Sequence, residues 1–212
     1  MEILSFDSLD STQTYLVDAL AKGKLQAPIA VIAKEQNSGV GSRDNEWIGS
    51  SGNLFFSFAL PFKMLPKDLK IESASIYFAY IMKELLSKYS SELYMKWPND
   101  LYRNDKKIGG VITKKIENNI ICGIGVNIIK APHSTYGCLG VAVDPLDILQ
   151  EYIKELKKMY SWKQIFIKYQ IEFEKYKNSY VHINNYEESL SGAQLCEDGS
   201  IIINNERVYS LR

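Results

Sequence analysis

Lys107 stands just ahead of a glycine pair, Gly109-Gly110, and follows the segment Lys96-Trp97-Pro98-Asn99-Asp100-Leu101-Tyr102. Pro98 ends a strand, because proline has no N–H to give a ladder. Asn99 and Asp100 then present two polar side chains at the strand end. A lysine at the start of the next strand can reach the pocket that Asp100 borders, which makes the three a candidate site for a charged ligand. The same spacing suits an exposed hairpin turn with surface lysines, and spacing alone does not choose. A second candidate is the stretch Gln36-Asn37-Ser38-Gly39-Val40-Gly41-Ser42-Arg43-Asp44-Asn45-Glu46-Trp47. Its G-x-G lets backbone amides approach an anion and Arg43 adds charge, although a flexible turn has the same composition. A third is Gly123-Ile124-Gly125-Val126-Asn127 within an apolar run. Glycine weakens a strand and marks close approach of a ligand or another backbone, or a bulge.

These groups need a scaffold, and hydrophobic periodicity supplies one. Asp10-Ser11-Thr12 caps an amphipathic helix carrying Tyr15, Leu16, Ala19 and Leu20. Residues 29–33 form an apolar strand buried on both faces, 36–52 a polar loop, and 53–60 a second strand stopped by Pro61. Residues 72–88 read as a helix burying Ile76, Ala79, Tyr80, Leu85 and Leu86. A strand at 94–97, a polar turn at 103–106, and strands at 110–114 and 120–129 follow, the last two joined at Glu117-Asn118-Asn119 as a hairpin. Residues 130–143 read as loop, 146–160 and 162–177 as helices with lysine-bearing solvated faces, and the chain beyond Val181 as short strands. The expected fold class is α+β, a mixed central sheet flanked by helices, with residues 1–178 as the main domain and 179–212 as a short β segment.

Composition narrows the function classes. The 212 residues carry 25 basic and 25 acidic side chains, and this zero formal charge argues against duplex DNA as a partner. No run of about 18 apolar residues is present, so no membrane helix is expected. The N-terminal residues lack the pattern of a secretory signal, which leaves the cytoplasm as the default location. Cys122, Cys138 and Cys196, with His133 and His182, have no metal-ligand spacing, so no protein metal site is expected and the thiols read as reduced.

Taken in order, LDSTQ at 9–13, QNSGVGSRDNEW at 36–47, GNLFFS at 52–57, KWPNDLY at 96–102, KKIGGVI at 106–112 and GIGVNI at 123–128 resemble the biotin–protein ligases, from about Leu9 to Asn127. KWPND followed by a lysine and a glycine pair is the most specific of these. The resemblance implies a catalytic fold like that of class II aminoacyl-tRNA synthetases, with 179–212 as a truncated SH3-like β domain, and no DNA-binding domain ahead of the catalytic motifs. It implies attack of the biotin carboxylate on the α-phosphate of ATP, with Mg²⁺, then transfer of biotin from the adenylate to a lysine of a biotin carboxyl carrier protein, usually a subunit of acetyl-CoA carboxylase. A monomer or weak homodimer is expected.

By the same resemblance, Lys107, Asp100 and Arg43 are the catalytic residues, Lys107 holding the carboxylate and the α-phosphate. Ser11, Thr12 and Gln36 would hydrogen-bond the ureido ring, Gln13 would also contact biotin, and Gly39, Gly41, Gly109, Gly110, Gly123 and Gly125 would line the biotin pocket. Ser42, Arg43, Asn45, Trp47, Asn99 and Asn127 would contact the nucleotide. The family loop is commonly GRGRxGRxW, whereas Val40, Ser42 and Asn45 replace its arginines here and Gln13 stands where asparagine is frequent. Weaker electrostatic retention of the adenylate, or compensation by Arg43, is the expectation. Two other readings fit the fold: a lipoate or octanoyl transferase-like enzyme, and a non-catalytic biotin- or adenylate-binding module.

Overall fold

The structure is a computed structural model and describes residues 1–41, 46–183 and 186–209. The chain runs β1 (Glu2–Leu9), α1 (Thr12–Ala21), β2 (Ile29–Val40), β3 (Glu46–Gly49), β4 (Leu54–Pro61), α2 (Ala74–Leu86), β5 (Leu93–Lys96), β6 (Asp100–Arg103), β7 (Lys106–Ile116) and β8 (Asn119–Val126). It continues through α3 (Pro145–Leu156), α4 (Trp162–Tyr176), β9 (Tyr180–Ile183), β10 (Tyr186–Ser189), β11 (Gln194–Leu195), β12 (Ile201–Ile203) and β13 (Glu206–Val208). The main sheet has the order β1-β2-β4-β8-β7-β6-β5, with β3 paired to β2. Among the described strands of this sheet β1 and β2 pair in parallel and the other pairings are antiparallel, so the sheet is mixed.

The central strands are apolar throughout because both faces are covered. Alternate residues sort to the two sides: Ile29, Val31, Ala59 and Ile121 pack with Leu16 of α1, while Ala30, Ile32, Phe56, Phe58 and Cys122 join α2, α3 and α4 in the larger core. Around Tyr152, which is fully buried, Phe56 and Phe58 make edge and tilted ring contacts at 5.6 and 5.9 Å. Burial pushes the Tyr152 phenol well up, with Cys122 and Tyr77 adding to it, and its hydroxyl donates to the Phe78 carbonyl. Ser11 is the N-cap of α1, and Ser161 and Gln164 form a reciprocal capping box on α4.

Two segments differ from the expectation drawn from sequence. The segment 36–52 is not all loop: β2 runs on through Gln36 to Val40 and pairs with β3 at Gln36–Gly49, Gly39–Trp47 and Val40–Glu46. A polar stretch can be strand where one face meets water. The first residues form β1, which the sequence reading did not contain. Its side chains are mostly exposed or half-buried, and its conformation is dictated by the parallel register with β2. The tail's buried residues, Val181, Ile183, Leu190, Ala193, Ile201 and Ile203, belong to the same cluster as the large core. Among the described residues no helix is long and apolar enough to cross a membrane.

Candidate functional site

Sheet register builds the site. One cross-strand row runs Ala33–Phe55–Gly125–Gly110–Asp100–Lys96, across β2, β4, β8, β7, β6 and β5. The next row is Val31–Ser57–Gly123–Ile112. Directly paired residues project on the same face, and this is the face that carries α1. Gly110, Gly123 and Gly125 therefore leave a trough in the sheet where side chains would otherwise stand. A Cβ on Gly123 would come 2.7 Å from Gln13 Oε1, and one on Gly125 would come 2.7 Å from Trp47 Cε2. The indole of Trp47 thus lies over the glycine floor. The trough is the base of a cavity of about 260 Å³.

Lys107 reaches this trough through a bulge. Leu101 pairs with Gly109 but Tyr102 pairs with Lys107, so β7 carries one extra residue, Ile108. In an unbroken strand Lys107 would share a face with Gly109, away from Gly110. The extra residue flips the parity and places Lys107 on the trough side, a common use of bulges beside sites. Its ammonium sits 2.7 Å from Asp100 Oδ1, with the two side chains 24% and 22% exposed, and 5.9 Å from the Trp47 ring centroid. Both partners are partly shielded, so the pair is pre-formed yet open to a ligand.

The polar wall comes from α1 and its neighbours. Gln36 Oε1 accepts from the Thr12 N–H (2.8 Å) and from Thr12 Oγ1 (3.0 Å). With that proton committed, Thr12 Oγ1 accepts from Ser57 Oγ at 2.9 Å. Ser11, Thr12 and Gln13 are buried. Gln13 Oε1 is buried without a hydrogen-bond partner among the described residues and faces the Gly123 floor. A buried acceptor left unmatched costs free energy, which makes it a candidate to receive a ligand N–H.

The KWPND turn is tied from behind. The Asn99 side-chain amide donates to the Val111 carbonyl, whose own N–H donates to the Asn99 carbonyl. Trp97 Nε1–H donates to the Gly199 carbonyl at 2.8 Å, Ser73 Oγ to Asp198 at 2.6 Å and Trp162 Nε1–H to Glu197 at 2.7 Å. Three successive carbonyls, of Glu197, Asp198 and Gly199, thus meet donors from α2, α4 and the KWPND segment or their flanks. On the trough side, burial pushes the Lys96 ammonium down; Asp100 opposes this and Lys107 adds to it.

The structure brings together Ser11, Thr12, Gln13, Gln36, Gly41, Trp47, Asn99, Asp100, Lys107, Gly110, Gly123 and Gly125 around the cavity. Gly109 is placed elsewhere: it packs against the Gly125 carbonyl, Leu101 and Val126, because strand alternation turns it to the core face, opposite Gly110. Gly39 likewise sits in the β2–β3 pairing, against the Trp47 carbonyl and Gln36, and does not line the cavity. Asn127 borders a smaller neighbouring pocket with Glu46, Trp47, Pro132, His133 and Tyr136. Its Nδ2 donates to the Gly137 carbonyl, while its buried Oδ1 has no partner among the described residues. Ser42, Arg43 and Asn45 lie outside the described residues. Ser57, Ile112 and Tyr136 line the cavity but carried no sequence-based role. Ser57 had a signal, as the one polar side chain inside LFFSFAL. No group of three His, Cys, Asp or Glu among the described residues is arranged to hold a metal ion.

Comparison with known proteins gives consistent likenesses. The Biotin/lipoate A/B protein ligase family matches residues 5–128. The chain is 32% identical over 127 residues to the bifunctional ligase/repressor BirA of Escherichia coli, covering 57% of this chain and 38% of that one. It is 30% identical over 141 residues to the biotin–[acetyl-CoA-carboxylase] ligase of Paracoccus denitrificans, covering 56% and 57%. The match therefore spans well under two thirds of these relatives' own lengths. The crystal structure of biotin acetyl coenzyme A carboxylase synthetase from Helicobacter pylori with bound biotinylated ATP superposes with a TM-score of 0.92, at 38% identity over 98% of this chain and 99% of that one.

Proposed function

Because the chain belongs to the biotin/lipoate A/B protein ligase family, we propose that it is a biotin–protein ligase that activates biotin with ATP and passes it to a lysine of a biotin carboxyl carrier protein. The observation that carries this reading is the Asp100–Lys107 ion pair set beside the glycine trough by the Ile108 bulge. The trough has room for a compact fused bicycle, and its end bears a cation. Thr12, Ser57, Gln36 and Gln13 offer the matched donors and acceptors that a ureido group needs.

In the first step a carboxylate must approach a phosphate. Both are anions, so a preorganised positive group at the forming bond lowers the barrier. Lys107 fills that role, with Asp100 fixing its position. Once the adenylate has formed and pyrophosphate has left, a carrier lysine attacks the mixed anhydride and AMP departs. Asp100 is the carboxylate placed to receive that amine. Asn99 and Trp47 lie beside the nucleotide, with Asn127 in the adjoining pocket. Mg²⁺ would accompany the nucleotide; Asp100 and Glu46 are the cavity carboxylates that would hold it, and it would supply charge neutralisation at the phosphates. The cytoplasm is the expected compartment.

The test is to mix protein, ATP, Mg²⁺, biotin and a carrier domain and to follow carrier labelling and pyrophosphate release. Labelling lost in Lys107→Ala supports the proposal. Labelling with lipoate in place of biotin, or biotin binding without pyrophosphate release, refutes it.

A further inference from the structure

Glu172 lies on α4, on the opposite side of the sheet from the trough. Its carboxylate is 11% exposed. One oxygen accepts the backbone N–H of Met95 at 2.5 Å, and the other meets the Lys83 ammonium at 2.6 Å. Lys83, on α2, is 8% exposed and also reaches Glu84 at 2.8 Å. A buried carboxylate on a helix is costly unless fully engaged, and this one is engaged by a cation and by a strand amide.

The strand amide is the informative partner. β5 is the last strand of the sheet, so the N–H groups on its outer edge have no neighbouring strand. Met95 is the next-to-last residue of β5, immediately before Lys96 and the turn Trp97-Pro98-Asn99 that leads to Asp100. Glu172 thus holds the chain where it leaves the sheet edge to build the turn, and Asp100 in turn holds Lys107.

We propose that Glu172 is a positioning residue for the Asp100–Lys107 pair, acting through its hydrogen bond to the Met95 amide. The inference rests on the ligase reading above. Its reach is selective: Thr12, Gln36, Ser57 and Gly123 belong to α1, β2, β4 and β8, away from the β5 edge. Loss of the Glu172 cap therefore shifts the charged end of the cavity and leaves the ureido end in place. Displacement of a positioned group by about 1 Å costs on the order of a hundredfold in rate.

The experiment compares Glu172→Ala, Glu172→Gln and Glu172→Asp by biotin-dependent ATP–pyrophosphate exchange and by hydrogen exchange at the Met95 amide. Assays are run below each variant's melting point and normalised to biotin-binding sites. Glu172→Gln keeps an oxygen for Met95 and retains most of the rate and the amide protection. Glu172→Ala loses both, with the turnover rate falling about tenfold to a hundredfold and the KM for biotin held within about twofold. Glu172→Asp keeps the charge for Lys83 but shortens the reach to Met95, and behaves like Ala; it also decides the matter if the Ala variant does not fold. A wild-type turnover rate in Glu172→Asp or Glu172→Ala overturns the proposal, as does a Gln variant no better than Ala. A wild-type protein without biotin-dependent exchange instead overturns the ligase reading, while the Met95 amide still reports on the cap.

Discussion

Gly123→Ala separates folding from ligand binding at one atom. The added Cβ would stand 2.7 Å from Gln13 Oε1 and 3.2 Å from both Ile112 Cγ1 and Ser57 Oγ. The closest of these is the tip of a long side chain whose Oε1 has no hydrogen-bond partner among the described residues, so Gln13 swings aside at little cost to the fold. The other two contacts need only tenths of an ångström. The stability loss is therefore at the low end of overpacking, about 1 kcal/mol, or roughly 2–4 °C in a chain of this size. The ligand fares worse. If the ring lies over Gly123 as proposed, displacing Gln13 Oε1 leaves one of its N–H groups without an acceptor, at about 1–3 kcal/mol, which is about 5- to 150-fold in affinity. Calorimetric titration with biotin beside a thermal melt measures both. A Gln13→Ala, Gly123→Ala double variant should bind no more weakly than Gly123→Ala alone, since both act through the same atom. Unchanged biotin affinity in the folded single variant would refute the placement of the ring over Gly123, and additive losses would refute the coupling.

Lys107→Ala should lower pyrophosphate exchange by about a hundredfold to a thousandfold, with a smaller loss of biotin binding, since the ureido contacts remain. Trp97→Phe leaves the Gly199 carbonyl without its indole donor and should cost about 1–3 kcal/mol in thermal unfolding. Burial raises the Asp198 carboxyl, but bonds from Ser200 and Arg207 outweigh it and hold the group below its ordinary value of 3.8. That depressed folded-state value means Asp198 contributes stability above the unfolded value and loses it as pH falls through the folded one. Acid melts should therefore show wild type losing its advantage over Asp198→Asn below about pH 4.

Much of the site could be read from residue types. Proline and paired glycines mark strand ends and a floor without side chains, and those are local properties of KWPND, of the glycines after Lys107 and of GIGVN. The helices at 74–86, 145–156 and 162–176 followed from apolar spacing. What escaped depends on distant partners. β1 alternates poorly because it is an edge strand, and it exists through its register with β2. Residues 36–40 looked like loop because they are polar and glycine-bearing, with Asn37 and Ser38 exposed on a paired strand. The Ile108 bulge is a property of the β6–β7 pairing, so residue spacing alone could not place Lys107 on the Gly110 side of the strand, where the cavity lies. Glu172 sits in a lysine-rich helix that reads as a solvated face, and only the fold turns it inward.

The indole of Trp97 is held by a carbonyl 102 residues further along the chain. At the ribosome's pace of about 5–20 residues per second, roughly 5–20 seconds separate the synthesis of these two partners. For most of that interval a nascent chain already contains Lys107, Asp100 and the trough glycines, but not the tail turn that anchors the KWPND segment. Activity should therefore appear late in biogenesis, only after Glu197, Asp198 and Gly199 have emerged and docked.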